Sequence, residues 1–417
     1  MTQEDTANGA RRVLIIVQNL PVPFDRRVWL ECRALVEAGY RVAVICPRGP
    51  GDPPYEVLQG VELYKYPLRT ATTGALAYFG EYARSFAMTA LLAVRARRRG
   101  WIDAIQTCNP PDIFWPLGIS WRAISGTRFV FDQHDLCPEL FESRFPTGSR
   151  RLGSALRFLE RRTYRAADHV IATNESYARV ARQRGDVNDE DITVVRTGPA
   201  ADRLRRGDPD PSWRGGRRFL AAYIGVMGPQ DGVDNVLRAA DYIVNRLNRV
   251  DVGFVLMGSG DCFDELVALR DELGLEDFVT FTGRVPDDVV TSVLSTADVG
   301  LSPDPKNPLN DVSTMNKTLE YMAYRLPVVA FDLLETRVSA AEAAVYATPN
   351  RIDCYAQAVV DLLDDEPRRL AMGAVGRQRI ERELSWDHQR DRYVSVYDRL
   401  FGIEHTRLPA LTNSAAD

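Results

Sequence analysis

Short apolar runs alternate with longer stretches of helical periodicity along almost the whole chain. The first run, "RRVLIIVQN", is apolar at successive positions, as a strand buried on both faces requires. In "RRVWLECRALVEAGY", Val28, Leu35 and Val36 recur at helical spacing and Gly39 falls where a helix would end. "RVAVIC" predicts a second strand. The rhythm continues through "VELYKY", a helix from about Ala75 to Arg99, "DAIQTC", "RFVFD", a helix around Leu152 to Ala166, "HVIAT" and "ITVVR". Such alternation implies a parallel sheet flanked by helices. "RLRRGDPDPSWRGGRR" then breaks the pattern with Pro, Gly and charge, and the rhythm restarts with "FLAAYIGV", "VGFVLMG", "FVTFTGRV", "DVGLSP" and "PVVAF". The predicted fold is α/β, two tandem Rossmann-like doubly wound domains over residues 13–202 and 218–385, facing a cleft and joined by a linker at 203–217. A helix is expected at 386–402, with disordered tails at 1–12 and 403–417. Open parallel sheets bind ligands outside the carboxyl ends of their strands, here in the cleft.

The length of 417 residues fits two domains, since one core stops growing well before that size. The six cysteines form no CxxC pair, which argues against a zinc site or a disulfide framework and fits a reducing cytoplasm. The first twelve residues lack an apolar signal core and no run is long enough to span a membrane, so a cytoplasmic location is expected. Residues 1–200 hold 27 Lys and Arg against 22 Asp and Glu, while the remainder is net acidic. That asymmetry suggests an anionic partner for the first half, with a solvated surface as the plain alternative. Nucleic acid is a poor candidate, because the basic residues carry no reader motif.

"GVMGPQDGVDNVLRAA", "VLMGSGDCFDELVALRDELGLEDFVTFTGRVP", "TADVGLSPDP" and "KTLEYMAYRLPVVAFD", in this order and spacing, resemble the family-4 glycosyltransferases. Near the ends, "PFDRRVWLECRALVEAGYRVAVICP", "FDQHDLCPELF" and "LSWDHQRDRYVSVYDRL" are similar to the family's first strand and helix, active-site loop and C-terminal helix. The resemblance implies the two-domain GT-B fold and retaining, metal-independent transfer of a sugar from a nucleotide-sugar donor, with UDP-sugars favoured. It implies no cofactor, since the nucleotide sugar is a co-substrate. It also implies a sugar or lipid-linked acceptor, in cell-surface polysaccharide or glycolipid assembly.

Individual residues inherit roles from this resemblance. Gly225 and Gly228 lie between a strand and a helix, where backbone amides could approach phosphate oxygens. Relatives place an arginine and a lysine in this loop, but Val226 and Asp231 stand there instead. Arg284 and Val285 match the segment whose backbone reads the base. The family signature sets two glutamates eight positions apart; Glu320 matches the second and is expected to accept from the ribose hydroxyls, whereas Val312 occupies the first. His134 is expected to position the donor sugar and its leaving phosphate, with Asp135 orienting it.

From the residues themselves, Ser313, Thr314 and Asn316 read as the first turn of a helix, with Lys317 just inside it and placed to supply the missing phosphate charge. Asp25, Arg26, Arg27, Asn109 and Asp112 fall at strand ends as acceptor or phosphate contacts, with turn and cap chemistry as the alternative. The helix from Ala75 carries Phe79, Tyr82, Phe86 and Ala90 along one face and ends in Arg95, Arg97, Arg98 and Arg99, suggesting peripheral contact with an anionic membrane on its inner face, with a purely intramolecular role of the cations at the helix C-terminal dipole as the alternative. The competing readings are a sugar-nucleotide epimerase, and a non-catalytic nucleotide-sugar-binding subunit motivated by the missing glutamate and loop cations.

Overall fold

The computed structural model describes residues 9–67, 75–145, 148–200 and 206–403. Of the tails expected at 1–12 and 403–417, residues 1–8 and 404–417 lie outside the described residues, as does the side chain of Phe79, whereas Arg12 is buried and opens the first strand.

The first sheet is built from β1 (Arg12–Ile16), β2 (Arg41–Pro47), β3 (Tyr55–Leu58), β4 (Val61–Tyr66), β5 (Ala104–Cys108), β6 (Arg128–Gln133), β7 (His169–Ala172) and β8 (Ile192–Val194). Their order is β3-β4-β2-β1-β5-β6-β7-β8, parallel throughout except for the antiparallel edge strand β3. All of β1, β5 and β7 are buried, which fits their mainly apolar character, with Arg12, Gln106, Thr107 and His169 as buried polar exceptions. The second sheet comprises β9 (Phe219–Ile224), β10 (Val252–Met257), β11 (Val279–Gly283), β12 (Val299–Ser302), β13 (Val328–Phe331) and β14 (Ala344–Ala347), in the order β11-β10-β9-β12-β13-β14 and wholly parallel. Strand order reverses beside β1 in one sheet and beside β9 in the other, so both ligand-accepting crevices open at the carboxyl ends of those strands.

The helix Trp386–Phe401 crosses back after the second sheet and completes the first domain. Trp386, Tyr393, Val396 and Tyr397 share a core with Val28, Leu35, Val44 and Val130. The Tyr40 hydroxyl donates to Asp398 at 2.6 Å. Residues 206–214, expected as linker, pack on the helix Asp287–Thr296: the amides of Gly207 and Asp210 donate to Ser295 and Thr296, and the Trp213 indole donates to Ser292.

Turn chemistry at the second crevice is tight. Gly232 opens the helix Val233–Asp241 at φ +64°, and a Cβ there would meet the Pro303 carbonyl at 2.6 Å. Among the described residues no helix is long and apolar enough to cross a membrane.

Candidate functional site

A cleft of about 430 Å³ is lined from both domains. Asn19, Leu20, Pro23 to Arg27, His134, Asp135 and Tyr177 form one wall; Asp287, Ser313, Thr314, Asn316 and Glu320 form the other. Apolar packing seals one end, where Leu309 and Val312 of the second domain join Leu136 and Tyr177 of the first. Asn174 Nδ2 donates across this contact to the Val312 carbonyl at 2.9 Å and to Thr314 Oγ1 at 3.0 Å, and Ser176 donates to Glu335 at 2.6 Å. Val312 therefore fastens the two domains at the position where the family signature places its first glutamate.

His134 follows β6 and is held from three sides. Its amide donates to Asn109 Oδ1 at 2.7 Å, and its Nε2 stands 2.7 Å from Asp132 Oδ2 and 3.1 Å from Arg27 Nε. Facing a carboxylate, Nε2 carries the hydrogen and leaves Nδ1 as the other polar edge of the ring. Burial alone would lower the imidazole's pKa; the Asp132 carboxylate outweighs this and raises it above the ordinary histidine value. The orienting acid is thus Asp132, two residues before the histidine, and not Asp135 as the sequence suggested. Asp135 lines the cleft, its carboxyl raised by burial.

Behind His134 lies a buried charge cluster. Arg27 donates to Asp132 Oδ1 at 3.0 Å, to the Val195 carbonyl at 3.0 Å and to Thr197 at 2.9 Å, and its Nε lies 3.0 Å from Glu31. Arg27, expected to contact substrate, lines the cleft but is only 7% exposed, its guanidinium engaged by these protein partners. Glu31 is fully buried and its carboxyl is pushed up to about 8, by burial first and by Asp132 second. Glu31, Cys108, Asp132 and His134 bring potential ligand atoms within 4.8 Å of one another, a grouping a divalent ion could use. Here the Arg27 guanidinium supplies positive charge to both carboxylates.

Glu320 stands on the opposite wall, about one quarter exposed, with Arg26 Nη1 at 3.9 Å. Burial raises its carboxyl and Arg26 draws it back. Arg26 also bonds Asp287 across the domains, and Arg284 stacks 3.8 Å over the Phe24 ring, so the side chains of both arginines bridge the cleft mouth. Val285 packs against the second-domain core. The helix beyond begins at Asn316, later than expected: Ser313 and Thr314 precede it, engaged with Leu309, Tyr177 and Asn174.

Several expected contacts lie elsewhere. Lys317 is buried and pairs with Asp304, with no role in the cleft lining, and its charge persists despite burial because Asp304 and Asp231 face it. Asp25 stays in the cleft lining but is engaged as the cap of the helix Arg26–Glu37, accepting from Val28 at 3.1 Å. Asn109 braces the turn at His134 and Asp135, accepting from both amides and donating to the Asp135 carbonyl at 2.8 Å. Asp112 sits behind it, buried, its carboxyl pushed up to about 6 by burial. In the glycine loop, the amide of Gly225 donates to Met257, that of Met227 to Ser259 and that of Gly228 to Asp231. These amides are satisfied within the protein and form no open anion cradle.

One cation the sequence did not single out reaches this loop. Arg144, closing the helix Cys137–Arg144 in the first domain, donates to Gln230 at 3.3 Å and lies 3.6 Å from Asp261. Its charge also bears on Asp231 and Asp135. The signal for Asp132 was an acid inside an otherwise apolar strand run, "RFVFDQ"; Arg144 offered none.

The family profile described as "Glycosyl transferase 4-like domain" matches residues 25–198, and the one described as "Glycosyl transferases group 1" matches residues 218–365. Sucrose-phosphate synthase from Thermosynechococcus elongatus superposes with a TM-score of 0.73 at 17% identity, covering 94% of this chain and 100% of that one. The chain has the GT-B glycosyltransferase fold and resembles the family-4 enzymes. Anabaena HepE in complex with UDP-glucose superposes on this GT-B chain with a TM-score of 0.68 at 15% identity, covering 93% and 99%. A GDP-mannose-dependent alpha-(1-6)-phosphatidylinositol monomannoside mannosyltransferase of Mycobacterium tuberculosis is 29% identical over 202 residues, 46% of this chain and 51% of the relative. A D-inositol 3-phosphate glycosyltransferase of Thermomonospora curvata is 30% identical over 263 residues, 58% of this chain and 60% of the relative. The chain thus spans about half to three fifths of the length of these curated relatives.

Proposed function

We propose that this protein transfers a sugar from a nucleotide-sugar donor to a separate acceptor, with retention of anomeric configuration and without a bound metal ion. The observation that carries the reading is the meeting of His134 and Glu320, from opposite domains, on one cleft. Glu320 has two acceptor oxygens suited to the vicinal hydroxyls of a ribose. The His134 imidazole, whose pKa the Asp132 carboxylate raises above the ordinary histidine value, lines the cleft where a departing diphosphate would develop charge, and a protonated ring there lowers the barrier by stabilising that charge. Retention and metal independence are carried over from the family resemblance.

The donor base moves from the expected uracil to a choice of uracil or guanine, because the M. tuberculosis relative is named as GDP-mannose-dependent. For the acceptor we propose a sugar or polyol carried on lipid. Support comes from the helix Ala75–Arg98, with a revised face. Phe86 and Ala90 pack inward, Phe86 against Phe114, while Leu91, Val94, Arg95 and Arg98 share an exposed face beside Trp101, which Arg97 caps at 3.6 Å. An apolar strip ending in cations suits an anionic bilayer surface.

The test incubates the protein with UDP-glucose and GDP-mannose, with and without EDTA, and resolves free nucleoside diphosphate, epimerised donor and glycosylated acceptor. EDTA-insensitive release of nucleoside diphosphate with an α-linked product supports the reading. Epimerised donor, or binding without turnover of either donor in the presence of lipid extract, rejects it.

A further inference from the structure

Gln106 lies at the centre of β5, fully buried in a strand that is otherwise apolar or small. An amide in that position is costly unless its hydrogen bonds are made. Its oxygen accepts from the hydroxyls of Tyr393, at 2.7 Å, and of Tyr397, both on the helix that crosses back from the second domain. Its NH₂ donates to Glu31 at 2.8 Å and to Asp132 Oδ2 at 3.0 Å. Asp132 Oδ2 is the same atom that holds His134 Nε2.

We propose that Gln106 is a positioning residue, transmitting the seating of the C-terminal helix to the His134 imidazole through Asp132. This rests on the reading of His134 as the group facing the donor's leaving phosphate. The two tyrosine hydroxyls decide which way the amide points. Turned over, the amide would set its oxygen against the Asp132 carboxylate, which has no proton to offer while Arg27 holds it ionised. The amide therefore has one favourable orientation, and Asp132 Oδ2 receives donors from two directions. Asp132 Oδ1 takes a third from Arg27, so its rotation is fixed. With the carboxylate fixed, the imidazole ring plane is fixed too. None of these groups lines the cleft except Arg27 and His134, so the arrangement acts on chemistry through His134.

The experiment compares Gln106→Leu and the Tyr393→Phe/Tyr397→Phe pair with the full-length wild type. Histidine imidazoles are labelled with ¹⁵N, and the His134 signal is assigned by its loss in His134→Ala. In the wild type the Nε2 hydrogen should resist exchange with solvent. It should exchange at least tenfold faster in both variants, while His169 and His388 are unmoved. Turnover is followed on whichever of UDP-glucose and GDP-mannose the wild type consumes. Gln106→Leu should lower kcat tenfold or more with donor KM within twofold, and adding it to His134→Ala should cost nothing further. Unchanged exchange in both variants, or losses that multiply in the double variant, would overturn the proposal. If His134→Ala keeps full turnover while exchange still accelerates in Gln106→Leu, the positioning stands and the role given to His134 falls. Should Gln106→Leu fail to fold, the tyrosine pair, which removes only two hydroxyls, carries the same test.

Discussion

Lys317, three residues before Glu320 on the same helix, pairs with Asp304 beneath the glycine loop and does not join Glu320 in the cleft lining. The expected division of labour on one helix face, lysine on phosphate and acid on ribose, is replaced by a buried ion pair. Removing one partner of such a pair strands the other in a dry interior. Lys317→Met should therefore destabilise the second domain by roughly 3–5 kcal/mol, and Lys317→Met/Asp304→Leu should recover much of it. Denaturant unfolding of the two variants decides; a single variant as stable as wild type would remove the pair from the account.

With Lys317 engaged, Arg144 becomes the cation to test at the glycine loop. Arg144→Met should weaken UDP and GDP binding about tenfold, as expected for one lost charge-assisted contact, and leave uridine and guanosine unchanged. Calorimetry with the four ligands reads this directly. Equal weakening of diphosphate and nucleoside would return the search to Arg26.

Glu320→Ala should cost about 10- to 150-fold in donor affinity or turnover, the worth of hydrogen bonds to a charged acceptor, with the fold intact. Wild-type kinetics in that variant would end the ribose assignment.

Membrane contact is read by flotation with vesicles containing anionic lipid. The wild type should float at low salt and sink at high salt, and Leu91→Ser/Val94→Ser should sink in both, because the variant loses insertion while Arg95 and Arg98 remain. Flotation of the variant equal to wild type would shift the contact to another surface.

Glu160 offers a pH signature distant from the cleft. Burial pushes its carboxyl up to about 7 against the pull of Arg184. A pKa raised on folding means stabilisation that is complete below the unfolded value near 4.5 and lost as pH rises through about 7. Relative to Glu160→Gln, the wild type should lose on the order of 3 kcal/mol between pH 4.5 and 8. A difference independent of pH would contradict the assignment.

Much of this fold was readable because parallel strands buried on both faces leave little choice of residue: β1, β2 and β10 announce themselves in "VLII", "VAVIC" and "VGFVLM". His134 and Glu320 could be placed from motifs because each follows a strand or opens a helix within a few residues. What the sequence withheld were pairings between distant positions. Gln106 with Tyr393, Arg144 with Gln230 and Arg27 with Asp132 depend on how separate elements pack, and no local spacing encodes them. The outward face of the helix Ala75–Arg98 was misplaced for a related reason. Aromatic residues at helical spacing read equally well as a core stripe, and here Phe86 belongs to the core.

The return of the helix Trp386–Phe401 to the first domain has a consequence for synthesis. A chain emerging from the ribosome at about 5–20 residues per second presents the whole first sheet long before its last helix exists. During that interval the place of Trp386, Tyr393 and Tyr397 in the core is unfilled, and the Gln106 oxygen lacks both of its tyrosine donors. The first domain can therefore reach its final state only after the second has been made, so the nascent protein cannot acquire a finished cleft wall one domain at a time.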